Sequence, residues 1–107
     1  MDKYIVVTTL CNKEEIANKI IDTLLEKRLV AGTQISKVNS KYWWNNELEE
    51  CDEYKLEFRT KESLYGKIET EIKKIHNYEV AEISYTEIKD GSKEFLNWIE
   101  ESIKFNI

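Results

Sequence analysis

The chain has a single histidine, His76, in the run His76-Asn77-Tyr78-Glu79-Val80-Ala81-Glu82. A neutral imidazole suits Cu²⁺ or Zn²⁺, and the carboxylates of Glu79 and Glu82 supply oxygen ligands beside it. One nitrogen and two hard oxygens form a weak transition-metal site, so the cofactor expected here is Cu²⁺ or another divalent cation, loosely held. A structural reading stands next to that one. A helix pattern ends at His76, and a cationic side chain suits the negative end of a helix dipole.

A second group of residues is aromatic. Tyr42, Trp43 and Trp44 close one strand, Tyr78 flanks the histidine, and Trp98 sits on the last helix. Such rings either line a pocket for a planar or apolar small molecule or are buried between subunits. Arg59, with Lys55 on the same strand face, is placed either to hold an anion in a cleft or to face solvent and pair with Glu57 and Glu82. Enzyme signatures are missing. The sequence has no G-x-S-x-G elbow, no glycine-rich phosphate loop and no cysteine set beside the histidine by a motif. Leu10-Cys11-Asn12-Lys13 does not offer the arginine-bearing phosphate cradle that acyl-phosphate chemistry would need. A non-enzymatic protein is expected.

Composition narrows the partners. The formal net charge is -5, and lysines alternate with acidic residues rather than forming a basic block. That pattern excludes a phosphate-backbone partner such as nucleic acid. No apolar run approaches the roughly 20 residues that cross a bilayer. The N-terminus, Met1-Asp2-Lys3-Tyr4-Ile5-Val6-Val7, begins a strand at once and lacks a signal-peptide pattern, so a cytoplasmic location is expected. Cys11 and Cys51 lack metal-type spacing and read as free thiols.

These residues are positioned by a short run of elements. One domain of 107 residues is expected, with 41% hydrophobic residues for its core. Residues 4–10 form a dense β-branched strand. Asn12 and Glu15 have capping-box spacing ahead of a helix carrying Ile16, Ile20, Ile21, Leu24 and Leu25. A strand follows over residues 33–44, and its apolar residues switch phase between Ile35 and Val38, which predicts a bulge near Ser36-Lys37. Asn45-Asn46 predicts a tight hairpin turn. The return strand, 48–60, puts Tyr54, Leu56 and Phe58 on one face. Thr60 opens a helix with Leu64, Ile68, Ile72 and Ile75, and Val80–Ile88 is a fourth strand. The last helix carries Phe95, Leu96, Trp98, Ile99 and Ile103. The order β-α-β-β-α-β with an added C-terminal helix is an α+β, ferredoxin-like sandwich. One sheet face is covered by the two crossover helices and the other is left open, which predicts a second copy of the chain as partner.

Taken together, the motifs resemble the CutA family of divalent-ion tolerance proteins. The resemblance rests on Arg28-Leu29-Val30-Ala31, Tyr42-Trp43-Trp44, Glu49-Glu50, Glu53-Tyr54-Lys55-Leu56-Glu57-Phe58-Arg59-Thr60, His76-Asn77-Tyr78-Glu79-Val80-Ala81-Glu82 and Phe95-Leu96-Asn97-Trp98. It implies a compact homotrimer of PII-like assembly, with long hairpins pairing edge to edge, and a role in tolerance of copper and other divalent ions. The alternative it leaves is a PII-like regulatory module that binds a small anionic metabolite between subunits. The chain departs from the pattern at Gly32 and near Thr9, where relatives carry cysteines, and at Asn77, where they carry proline. Cys11 and Cys51 do not stand at those positions.

Overall fold

Strand β1 (Tyr4–Cys11) alternates strictly, with Ile5, Val7, Thr9 and Cys11 buried and the intervening residues half-buried. The computed structural model describes residues 2–103, so Met1 and residues 104–107 of the expected 107-residue domain lie outside the described residues. Helix α1 (Glu14–Glu26) turns Ala17, Ile20 and Leu24 onto the same core. The capping box expected from Asn12 and Glu15 does not form: the residue before the helix is Lys13, in extended backbone, with no side-chain cap. Asn12 instead accepts a hydrogen bond from the Asn77 amide at 3.3 Å, because a loop from across the molecule competes for its oxygen.

The C-terminus of α1 closes as a Schellman motif, with Leu29 N–H donating to the Leu24 carbonyl at 3.1 Å and Arg28 N–H to the Leu25 carbonyl at 3.0 Å. Arg28 takes the left-handed position that glycine usually fills, at φ 57°. Leu24 and Leu29 are both buried, which supplies the apolar contact this motif favours.

Strands β2 (Gly32–Trp44) and β3 (Glu47–Lys61) form the long hairpin. Asn45 and Asn46 both have positive φ, 51° and 63°, as a type I′ turn demands. The ladder runs from Gly32↔Arg59 to Trp44↔Glu47 without a slipped residue, so the expected bulge at Ser36-Lys37 is absent. The phase switch has another cause. Most of β2 is exposed on both faces, so no core dictates which register is apolar.

After a 3-10 turn (Glu62–Leu64), α2 (Tyr65–Ile75) buries Ile68 and Ile72. This helix begins later than Thr60 because Thr60 is still in β3, where its hydroxyl donates to the Leu29 carbonyl at 2.6 Å. The turn is anchored from outside by Asp2, whose carboxylate accepts from Ser63 N–H at 3.1 Å and from the Ser63 hydroxyl at 2.5 Å. Strand β4 (Ile83–Glu87) is shorter than the expected 80–88 and pairs only with β1. The sheet order is β2-β3-β1-β4, all antiparallel, the ferredoxin-like arrangement the sequence predicts.

Helix α3 (Lys93–Ile103) corrects the picture of a fully open second face. Residues Tyr4, Lys61 and Gly32 point away from the α1–α2 core, and all three meet α3. The Tyr4 hydroxyl donates to Glu100 Oε1 at 3.1 Å, and the Lys61 ammonium donates to Glu100 Oε2 at 3.0 Å. A Cβ on Gly32 would lie 2.9 Å from Cη2 of Trp98, so the missing side chain is what lets the indole settle there. One end of the second face is thus covered within the chain.

The Lys61 hydrogen bond holds the Glu100 carboxyl below its ordinary value of 4.5, with burial opposing and Tyr4 assisting. A depressed carboxylate contributes stability that is fully present above pH 4.5 and is lost as pH falls below it. Thermal unfolding between pH 5 and pH 3 should therefore cost the natural chain more than Glu100→Gln. An equal acid loss in the two proteins would contradict this anchoring of α3.

Candidate functional site

The residues singled out by chemistry fall into three places, and only one of them is a connected network. It begins where β1 ends. The last β1–β4 rung is Thr9↔Ile83, and the next carbonyl, Leu10, bonds Nε2 of His76 at 2.7 Å. His76 itself closes α2, its N–H donating to the Ile72 carbonyl at 2.9 Å. Its other nitrogen, Nδ1, accepts the Tyr78 N–H at 3.2 Å. A carbonyl only accepts and an amide N–H only donates, so the ring carries its proton on Nε2 and its lone pair on Nδ1. Both nitrogens are engaged.

The chain of contacts continues through Tyr78. Its ring lies 4.8 Å from the imidazole, and its hydroxyl donates to Glu53 at 2.5 Å. Glu53 is only 7% exposed, the most deeply buried carboxylate among the described residues. Burial first, and then the bond to Glu53, pushes the Tyr78 hydroxyl far above the ordinary tyrosine value, so it stays a donor. Glu53 is the first β3 residue past the end of β1, since Cys11↔Tyr54 is the last rung there. The network thus ties the α2 terminus to the end of β1 and to the base of the long hairpin.

As a metal centre the expected set does not assemble within one chain. Glu79 and Glu82 are exposed, and among the described residues no group of three His, Cys, Asp or Glu side chains could hold an ion. An ion at Nδ1 would have to displace the Tyr78 amide. Cys11 and Cys51 are free; burial raises the Cys11 thiol above its usual range, which disfavours the thiolate that copper would need.

The aromatic residues do not converge on a pocket. Tyr42 and Trp44 share one face of the hairpin tip and Trp43 the other, with exposures of 40%, 39% and 70%. Trp98 stacks against Phe95 at 5.9 Å and lies over Gly32, about 40 Å along β2 from the tip. Arg59 is on the second sheet face and makes no ion pair with Glu57 or Glu82; its Nη1 is buried without a partner among the described residues. Sequence reasoning did not single out Glu53. In Glu49-Glu50-Cys51-Asp52-Glu53 it is one acid among several, and only the point where β1 stops distinguishes it.

The fold that carries this network is shared with known proteins. The family model for the CutA1 divalent ion tolerance protein matches residues 5–102. The chain belongs to the CutA1 family. The divalent-cation tolerance protein CutA of Pyrococcus horikoshii is 32% identical over 94% of this chain and 98% of its own length. The protein of the same name from Thermotoga maritima is 33% identical over 92% of this chain and 98% of its own. Among solved structures, CutA1 from the psychrotrophic Shewanella sp. SIB1 superposes with a TM-score of 0.88 at 31% identity, covering 94% of each chain. Divalent-cation tolerance is the role that this CutA1 membership assigns to the chain.

Tyr78→Phe removes the one hydrogen-bond donor that the buried Glu53 carboxylate has among the described residues, while leaving the ring in place. It should lower stability by about 1–3 kcal/mol, as loss of one partner of a buried group does. A denaturant midpoint unchanged from the natural chain would show that Glu53 has another donor.

Proposed function

We propose that this CutA1-family chain serves divalent-ion tolerance as a non-enzymatic cytoplasmic homotrimer of PII-like assembly, joined through its long hairpins. The observation that carries this reading is the apolar hairpin tip. Trp43 and Leu48 face each other across one side of the ladder at 70% and 67% exposure, with Tyr42 and Trp44 on the other side. Four large apolar side chains on a projecting ribbon are a contact surface rather than a solvated loop. The threefold number comes from the family resemblance. Free thiols at Cys11 and Cys51 suit a reducing compartment.

Copper or another divalent cation binds weakly in this reading, at His76 with Glu79 or Glu82. The internal hydrogen bond to Nδ1 competes with the ion, which is why the affinity is low. A titration with Cu²⁺ against a competing chelator should reveal no tight site, and His76→Ala should remove what specific binding there is. Tight stoichiometric binding that survives His76→Ala would contradict the assignment and direct attention to the cysteines.

Assembly is tested separately. Light scattering should give three times the 12.8 kDa chain mass, and Trp43→Ser with Leu48→Ser should reduce it to one chain. A natural protein that stays monomeric at micromolar concentration would refute the trimer.

A further inference from the structure

The second sheet face presents Gly32, Arg59, Val6 and Thr86 in one row and Gln34, Glu57, Thr8 and Ser84 in the next. Arg59 is central there, on a strand with neighbours on both sides. Its Nη1 is shut off from solvent and meets no acceptor among the described residues. The surrounding charges explain why. Glu57 is two residues along the same face, about 7 Å away at the backbone, and makes no ion pair. At the other side Lys61 has taken both nearby carboxylates, Glu100 at 3.0 Å and Asp2 at 3.8 Å. The two other orphaned side-chain atoms, the hydroxyls of Thr9 and Thr33, are on strand positions that face the helices, opposite Leu56 and Phe58. Among the described residues, Arg59 is therefore the one cation with a buried donor, Nη1, left without an acceptor. A guanidinium cannot shed its charge to escape this, so the buried donor calls for an acceptor.

We propose that Arg59 holds an oxyanion, a phosphate or a carboxylate, on the second sheet face beside Trp98. The planar fork of donors matches such a group in two-point geometry, which an ammonium does not. Trp98 lies over Gly32, directly across the ladder from Arg59, and walls one side of the position. Thr8, diagonal to Arg59 on β1, adds a hydroxyl on the same face. The oxyanion has two sources: a free ion, or a carboxylate of a second copy of the chain seated on the part of this face that α3 leaves uncovered. Only the second source rests on the assembly reading.

Calorimetric titration of inorganic phosphate and of citrate into the natural protein, Arg59→Gln and Arg59→Lys distinguishes them, with the assembled mass measured in parallel. A free ion predicts saturable binding that weakens at least tenfold in Arg59→Gln while the mass is unchanged. This result in a monomeric natural protein would remove the trimer and leave the Arg59 site standing. A carboxylate from a second copy predicts no binding of either probe, and an assembly whose dissociation concentration rises at least tenfold in Arg59→Gln and depends on salt. Should Arg59→Gln not fold, Arg59→Lys keeps the charge without the fork and is expected to show the same losses in smaller measure. Binding that persists undiminished in the variants, or variants that match the natural protein in both binding and assembly, would overturn the proposal.

Discussion

The β2–β3 ladder is longer than anything that supports it, and this mismatch governs the rest of the molecule. β3 pairs with β1 only from Tyr54 to Lys61, while its pairing with β2 continues out to Trp44↔Glu47. From Val38↔Glu53 outward the hairpin is, among the described residues, a two-stranded ribbon with no third strand and no covering helix, in a molecule 44 Å long. Such ribbons are marginal in water. This one has a favourable turn at Asn45-Asn46 and cross-strand contacts such as Asn39 Nδ2 to Asp52 Oδ1 at 2.9 Å. Contacts of that kind are each worth less than about 1 kcal/mol. In the proposed assembly, the ribbon's remaining stability comes from covering its apolar tip.

The same mismatch explains the network at the ribbon's root. Where β1 stops, the sheet loses a strand and a backbone carbonyl loses its ladder partner. His76 takes up that carbonyl, Tyr78 docks on His76, and Glu53 is drawn under Tyr78 as the first residue of the unsupported section. The single histidine of the chain thus acts as a strand terminator within one chain. Within the single chain an ion reaches Nδ1 of the imidazole only when the hydrogen bond from the Tyr78 N–H opens.

Much of the fold was legible in the sequence because local and tertiary signals agreed. The dense β-branched run of β1, helical spacing of Ile68 and Ile72, and two consecutive asparagines each reported a structure that the fold also enforces. The misreadings occurred where a signal had no core behind it or where a distant segment intervened. The apparent bulge at Ser36-Lys37 came from a strand exposed on both faces, and the Asn12 cap was lost to Asn77. The cover that α3 gives to the second face depends on Gly32 receiving Trp98 and on Glu100 meeting Tyr4 and Lys61, pairs too far apart in sequence for any periodicity to reveal. His76 was recognised as special from its uniqueness, but its two hydrogen-bond roles depend on Leu10 and could be read only from geometry.

The central claim is that the ribbon is completed by other copies of the chain, and amide hydrogen exchange tests it most directly. Along residues 38–44 every second N–H points away from β3 and has no strand partner among the described residues. If neighbouring hairpins pair along this edge, those outward amides should exchange slowly, at rates approaching those of β1. Outward amides that exchange as fast as an open strand edge, with only the inward ones protected, would show that the ribbon stands alone and would contradict the account.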